Sequence, residues 1–252
     1  FVCGSYGSGP LMNVEERKKV LEITIEEVKG KIPVIAHVGT TNLRDSIILA
    51  RHAQEVGADR IAAVPPYYYH HTEESVIYFF SQLVRSVDIP VYIYNNPKTV
   101  GYGVSSALVL KLAEVGVKGI KDSSFDILVL ENFLRNLPED FDVVPGTEAI
   151  WLPASSLGAR AFIPGLGNAF PELCVQLFEA GVNGDLEKCR KLQKKVNSIR
   201  DIMPMAGSTI VAVYIMLELR KVVKTYPRAP LIFPNKEKRD KIKEKLEKMG
   251  VI

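Results

Sequence analysis

The stretch Ile89–Ser124 reads I-P-V-Y-I-Y-N-N-P-K-T-V-G-Y-G-V-S-S-A-L-V-L-K-L-A-E-V-G-V-K-G-I-K-D-S-S. It holds two short apolar runs, Pro90–Tyr94 and Val117–Lys121, joined by one helix. Each run ends in a polar group: the first delivers Tyr94, the second Lys121. As parallel strands of one sheet, the runs set Tyr94 and Lys121 side by side at its carboxyl edge, where α/β folds carry their chemistry. An amine beside a phenol in an apolar pocket points to Schiff-base chemistry.

Outward from this stretch the chain alternates. Phe1–Gly4 has the character of a strand end, and the glycine-rich loop Ser5–Met12 follows. Asn13 caps a helix with Glu16 three residues on, and Gly30 closes it. Strand-like runs then fall at Ile32–Val38, Arg60–Val64, Phe141–Val144 and Arg160–Ile163. The helices between them fall at Asn42–Val56, from Thr72 onward, Ser106–Val115, Asp126–Leu137 and Glu148–Leu157. Strands that alternate with helices closed by Gly or Pro mean βαβ units and a parallel sheet covered on both faces. Six strands and a stub are short of a closed eight-stranded barrel, so either an open sheet or a barrel whose beginning lies upstream of residue 1 fits the count. The helices Pro171–Ala180, Asp185–Arg200, Ser208–Val223 and Lys236–Met249 are expected to pack outside as a C-terminal bundle.

Composition narrows the function classes. The 252 residues suit one large domain, since α/β barrels reach this size undivided. Lys and Arg (32) nearly balance Asp and Glu (29), so the net charge of +3 offers no field for nucleic acid. The Lys-rich Lys236–Lys248 is interrupted by acids and reads as a solvated helix face. The longest apolar run, Ile210–Leu217, is far short of the roughly 20 residues a membrane helix needs. Three cysteines without C-x-x-C spacing argue against a disulfide framework and a zinc site, and read as reduced thiols in a cytosolic protein. There is no metal-ligand cluster, and no cofactor is expected.

Five motifs stand in order: G-S-Y-G-S-G-P-L with E-E-R-K, P-P-Y-Y, I-Y-N-N-P, G-I-K-D-S and P-R-A-P-L. In sequence and spacing they resemble the N-acetylneuraminate lyase and dihydrodipicolinate synthase family. The resemblance implies a (β/α)8 TIM barrel with a C-terminal helical extension: residues 1–168 as the barrel, lacking its first βα unit, and 169–252 as the last barrel helix plus the bundle. It also implies a cytoplasmic homotetramer, and a Schiff-base aldolase or lyase that takes pyruvate or another 2-keto acid and an aldehyde. By position, Lys121 matches the Schiff-base lysine and Tyr94 the catalytic tyrosine. Ser5 matches the first relay threonine, and Tyr68 the relay tyrosine lent by a neighbouring subunit. Tyr6, Gly7, Thr99, Ile163 and Gly165 fall at substrate-binding positions. Two of these depart from the family. Tyr6 replaces a threonine that holds the carboxylate, leaving that task to the backbone N–H groups of Gly4–Gly7 or to a reshaped pocket. Thr99 stands where dihydrodipicolinate synthases have an arginine, and it cannot reproduce a bidentate guanidinium.

The chemistry also follows from the residues. Alternation along a strand puts Gly119 and Lys121 inside and Ile120 under a helix. Desolvation there lowers the lysine pKa and frees the amine. Attack on a ketone gives an iminium that acidifies the neighbouring carbon, and Tyr94 moves the proton, with Ser5 and Tyr68 leading to solvent. Each residue also has a plainer reading. Lys121 alone is a strand-end lysine until its distance from Y-N-N-P is counted. Tyr67–Tyr69 serve equally as an interface anchor. Tyr92 fills the interior, and His37 is favoured as a hydrogen-bonded core histidine over a ligand for aldehyde hydroxyls. Three functions stay open. The first is an aldolase of pyruvate type, among them a 2-keto-3-deoxy sugar acid aldolase, with dihydrodipicolinate synthesis as alternative. The others are a non-catalytic 2-keto-acid-binding barrel, and a phosphosugar-binding barrel using the Gly165–Asn168 loop.

Overall fold

The computed structural model describes residues Phe1–Ile252, which divide into two units: Phe1–Gly146 with Leu157–Ala159, and Thr147–Ser156 with Arg160–Ile252.

The first unit is built on a five-stranded parallel sheet in sequential order. Its strands are β1 (Ile35–His37), β2 (Arg60–Ala63), β3 (Val91–Asn95), β4 (Gly119–Asp122) and β5 (Asp142–Pro145). A helix follows each of the first four: Leu43–Glu55, Glu73–Val84, Ser106–Glu114 and Ile127–Asn136. The short strands keep their polar residues to their ends, which suits a sheet covered on both faces, and Ile61, Ile93 and Ile120 are wholly buried against Phe80, Leu83, Leu112 and Phe133. Side-chain oxygens of Asn42, Thr72, Ser105 and Asp126 accept from N–H groups in the first turns of these helices. The helix Val14–Val28 begins with the expected capping box, Asn13 and Glu16 each bonding the other's backbone at 2.9 Å.

The boundaries depart from the sequence reading where hydrogen bonding limits them. The expected strand over residues 32–38 shrinks to Ile35–His37, because Pro33 has no N–H and Ile32 is exposed. The stub at Phe1–Gly4 is a single bridge, Val2 to Ala36, ended at Cys3, which turns into the left-handed region at φ 56°. The expected strand Arg160–Ile163 joins no ladder. Pro164 cannot donate there, and Phe162 packs instead on Trp151 at 4.8 Å between ring centroids.

The second unit is helical: Trp151–Ser156, Pro171–Val182, Leu186–Arg200, Thr209–Leu219 and Lys236–Lys248. The helix expected from Glu148 starts three residues later. Glu148 turns its carboxylate inward to accept from the N–H groups of Gly165 (2.9 Å) and Leu166 (3.3 Å) and from Arg200 Nη1 (2.5 Å). No single helix is long and apolar enough to cross a membrane. All three cysteines are buried free thiols.

Candidate active site

The register fixes the central pair. Strands β3 and β4 align Tyr92 with Gly119 and Tyr94 with Lys121, so Tyr94 and Lys121 are direct neighbours at the carboxyl edge. Their side chains share one face because strand side chains alternate with period two. Lys121 Nζ lies 3.9 Å from the centroid of the Tyr94 ring and 3.9 Å from that of Phe1. Only 7% of Lys121 and 4% of Tyr94 is exposed. Burial lowers the lysine pKa and outweighs the pull of Tyr94 in the other direction. Burial alone raises the Tyr94 phenol, yet the Lys121 charge and hydrogen bonds from Ser5, Ser123 and Lys121 carry it below its ordinary value. The two groups are thus moved toward each other, as an amine nucleophile and a phenol proton carrier require.

The floor under the pair is built by glycine. A Cβ on Gly146, the residue after β5, would stand 1.9 Å from Ser123 Oγ and 3.0 Å from Lys121 Cε. Gly119 makes room one layer down for Tyr92, whose hydroxyl donates to Asp142 Oδ2. Burial, and then that acceptor, push the Tyr92 phenol up to about 12, so it stays protonated and fills the interior as expected.

Ser5 reaches the pair from the loop after Gly4, its Oγ 3.5 Å from Tyr94 Oη. The loop is tight: Ser8 N–H donates to the Ser5 carbonyl (3.1 Å) and Gly9 N–H to that of Gly4 (3.2 Å). A Cβ on Gly9 would fall 1.8 Å from the Cys3 carbonyl oxygen. Gly7 is exposed and Tyr6 half-buried on this loop. Thr99 sits in the short helix Pro97–Val100 and turns its hydroxyl back to the Asn96 carbonyl at 3.2 Å. Tyr68 is 83% exposed, at φ 82° and edge-on to Tyr69. Ile163 and Gly165 belong to the second unit, half-buried and buried respectively.

His37 is a core residue. Its Nε2 faces the Val64 N–H at 3.4 Å, and its ring lies edge-on to Tyr94 at 5.8 Å. Arg17, buried on the helix Val14–Val28, donates to the carbonyls of Gly39 (3.1 Å) and His37, and its Nη2 is 3.3 Å from His37 Nδ1. Burial, with the Arg17 and Lys121 charges, holds the imidazole well below its usual pKa, so it is neutral. The Gly165–Asn168 loop is no phosphate cradle. Its N–H groups at 165 and 166 bond Glu148, and that of Asn168 bonds the Gly165 carbonyl.

Three participants escaped the sequence reading: Asn96, Ser123 and Gly146. Asn96 Nδ2 is 3.1 Å from Tyr94 Oη. Asn95 donates to Asp122 at 2.7 Å and ties the end of β3 to that of β4. A signal for both asparagines was the polar pair closing an otherwise apolar run, where each amide must find partners.

Comparison with known proteins gives the family. Residues 1–249 match the family described as Dihydrodipicolinate synthetase family. The 4-hydroxy-tetrahydrodipicolinate synthase of Methanopyrus kandleri is 30% identical over 252 residues, covering 99% of this chain and 84% of that protein. Among solved structures, YagE, a prophage protein of the dihydrodipicolinic acid synthase family from E. coli K12 in complex with pyruvate, superposes with a TM-score of 0.96. It is 28% identical, covering 100% of this chain and 87% of that one. CdNal from Clostridium difficile, in complex with mannosamine, gives 0.92 at 28% identity, covering 98% and 85%. A match over almost the whole length decides membership: the chain belongs to the dihydrodipicolinate synthetase family of TIM-barrel lyases, the class I aldolases.

Proposed function

We propose that Lys121 forms a Schiff base with pyruvate or a related 2-keto acid, and that Tyr94 moves the protons of the carbon–carbon bond-making and bond-breaking steps. The observation that carries this reading is the buried Lys121 amine, lowered in pKa and held over the Tyr94 ring. The neutral amine adds to the C2 carbonyl, and loss of water leaves an iminium. Tyr94 takes a proton from C3 to give the enamine, which adds to an aldehyde; the reverse sequence cleaves an aldol. Ser5 is the next carrier, and Tyr68 completes the relay from a neighbouring subunit of a homotetramer, a role that fits its exposure here. Tyr6, Gly7 and Thr99 line the substrate, with the loop backbone at Gly4–Gly7 taking the carboxylate. The enzyme works in the cytoplasm, without metal or cofactor.

For the aldehyde, Thr99 favours a hydroxylated, uncharged chain over an anionic one, since no guanidinium stands there to pair a second carboxylate. The solved complexes of relatives with pyruvate and with mannosamine fit a 2-keto-3-deoxy sugar acid as substrate. Condensation of pyruvate with aspartate semialdehyde is the second reading, supported by the name of the Methanopyrus kandleri relative. Pyruvate release from 2-keto-3-deoxy sugar acids, followed beside that condensation, separates the two. The expected result is cleavage of the sugar acid and its loss in Lys121→Ala with the fold retained. Turnover that survives this substitution refutes the assignment of Lys121.

A further inference from the structure

Asn96 closes β3 one residue past the strand and precedes Pro97, which opens the helix Pro97–Val100. An asparagine before a helix ordinarily caps it with its side chain. Here no side-chain cap bond forms. The Asn96 backbone carbonyl takes up the start of the helix instead, accepting from the N–H groups of Thr99 (3.1 Å) and Val100 (3.0 Å) and from the Thr99 hydroxyl. The side chain is 93% buried and turns back, placing Nδ2 3.1 Å from Tyr94 Oη and 3.5 Å from Ser5 Oγ. The amide therefore has its two N–H groups for the two oxygens that stand 3.5 Å apart at the head of the relay.

We propose that Asn96 is a positioning residue: its side-chain amide clamps the Tyr94 phenol oxygen and the Ser5 hydroxyl together, and directs the phenol's exchangeable proton toward substrate and Ser5. The inference rests on the assignment of Tyr94 as proton carrier. An amide N–H can donate to the phenol oxygen but cannot accept its proton, so Asn96 blocks that direction without becoming a carrier. The same donor stabilises the oxygen when it is negatively charged, in concert with the Lys121 charge. The short helix gives the clamp its rigidity, because Pro97 restricts the Asn96 backbone and two helical N–H groups hold its carbonyl.

The test uses Asn96→Val, which keeps most of the volume, and Asn96→Ala, which leaves space; both remove the donor. Two rates are followed with pyruvate: borohydride trapping on Lys121, and deuterium exchange at C3 in D2O. The expected result is trapping within twofold of wild type, C3 exchange about tenfold slower, and the pH limb of exchange moved upward by about one unit. A merely structural role would depress trapping and exchange together and leave the limb in place, and that result overturns the proposal. So does an exchange profile equal to wild type in either variant. A limb moved downward would place the amide oxygen against the phenol and equally refute it. If wild type itself gives no Lys121 adduct, the Schiff-base reading fails instead, which the trapping arm reveals before any variant is made.

Discussion

Gly146→Ala probes the site through the smallest change available, one methyl group. Its Cβ would stand 1.9 Å from Ser123 Oγ, short of an ordinary contact by roughly 1.5 Å. It would also stand 3.0 Å from Lys121 Cε and 3.1 Å from the Asp122 carbonyl oxygen. Ser123 can swing its hydroxyl aside, giving up its bonds to Tyr94 and to the Gly146 carbonyl. The Asp122 backbone has no such freedom, since β4 is laddered on both sides, so the Lys121 side chain is the part that must give. Overpacking of this kind costs about 1–3 kcal/mol. At about 2–4 °C per kcal/mol for a chain of this length, Tm falls by roughly 2–12 °C. A shift of the Lys121 side chain moves its amine off the geometry of attack, and the trapping rate falls; for scale, a full misplacement of about 1 Å costs about a hundredfold. Thermal unfolding and the initial rate of borohydride trapping with pyruvate measure the two effects. The double variant Ser123→Ala/Gly146→Ala removes the worst overlap, and its Tm should recover by more than additivity allows. Wild-type Tm and trapping rate in Gly146→Ala would refute the packing argument.

Other consequences can be checked directly. Lys121 has a folded pKa below its unfolded value, so between those values the unfolded chain holds more protons and stability rises with pH toward 10.5. Lys121→Met should abolish that rise and be the more stable protein at neutral pH; denaturant midpoints that still climb equally would contradict the burial argument. Tyr94→Phe should slow C3 deuterium exchange about 10²–10⁴-fold while Lys121 is still trapped by borohydride; exchange at the wild-type rate would remove Tyr94 from the proton path. Glu148→Ala removes the buried carboxylate that Arg200 and two backbone N–H groups bond. It should cost about 3–5 kcal/mol by denaturant unfolding, and a cost under about 1 kcal/mol would mean that water replaces the carboxylate.

The central pair was legible because a strand imposes a fixed geometry. Tyr94 and Lys121 each end an apolar run of similar length, and parallel pairing allows few registers, so their adjacency followed from pattern alone. Caps were equally readable, since Asn13 and Glu16 need only their spacing. Arg160–Ile163 was misread because apolar content does not reveal whether a run has a ladder partner, and Phe162 spends its side chain on Trp151 instead. Gly146 was invisible for a different reason: its need to be glycine comes from Ser123 and Lys121, more than twenty residues earlier. Asn96 was quoted only as part of the I-Y-N-N-P motif, and the reversed side chain is what shows its use. Tyr68 matched its motif, and in the single chain its ring is 83% exposed and packs on Tyr69.

The most direct test of the account is borohydride reduction in the presence of pyruvate, read by intact mass and peptide mapping. The account predicts one reduced pyruvate adduct per chain, on Lys121, with none on the exposed lysines and none in Lys121→Ala. A folded protein that gives no adduct, or one modified at another lysine, would contradict it.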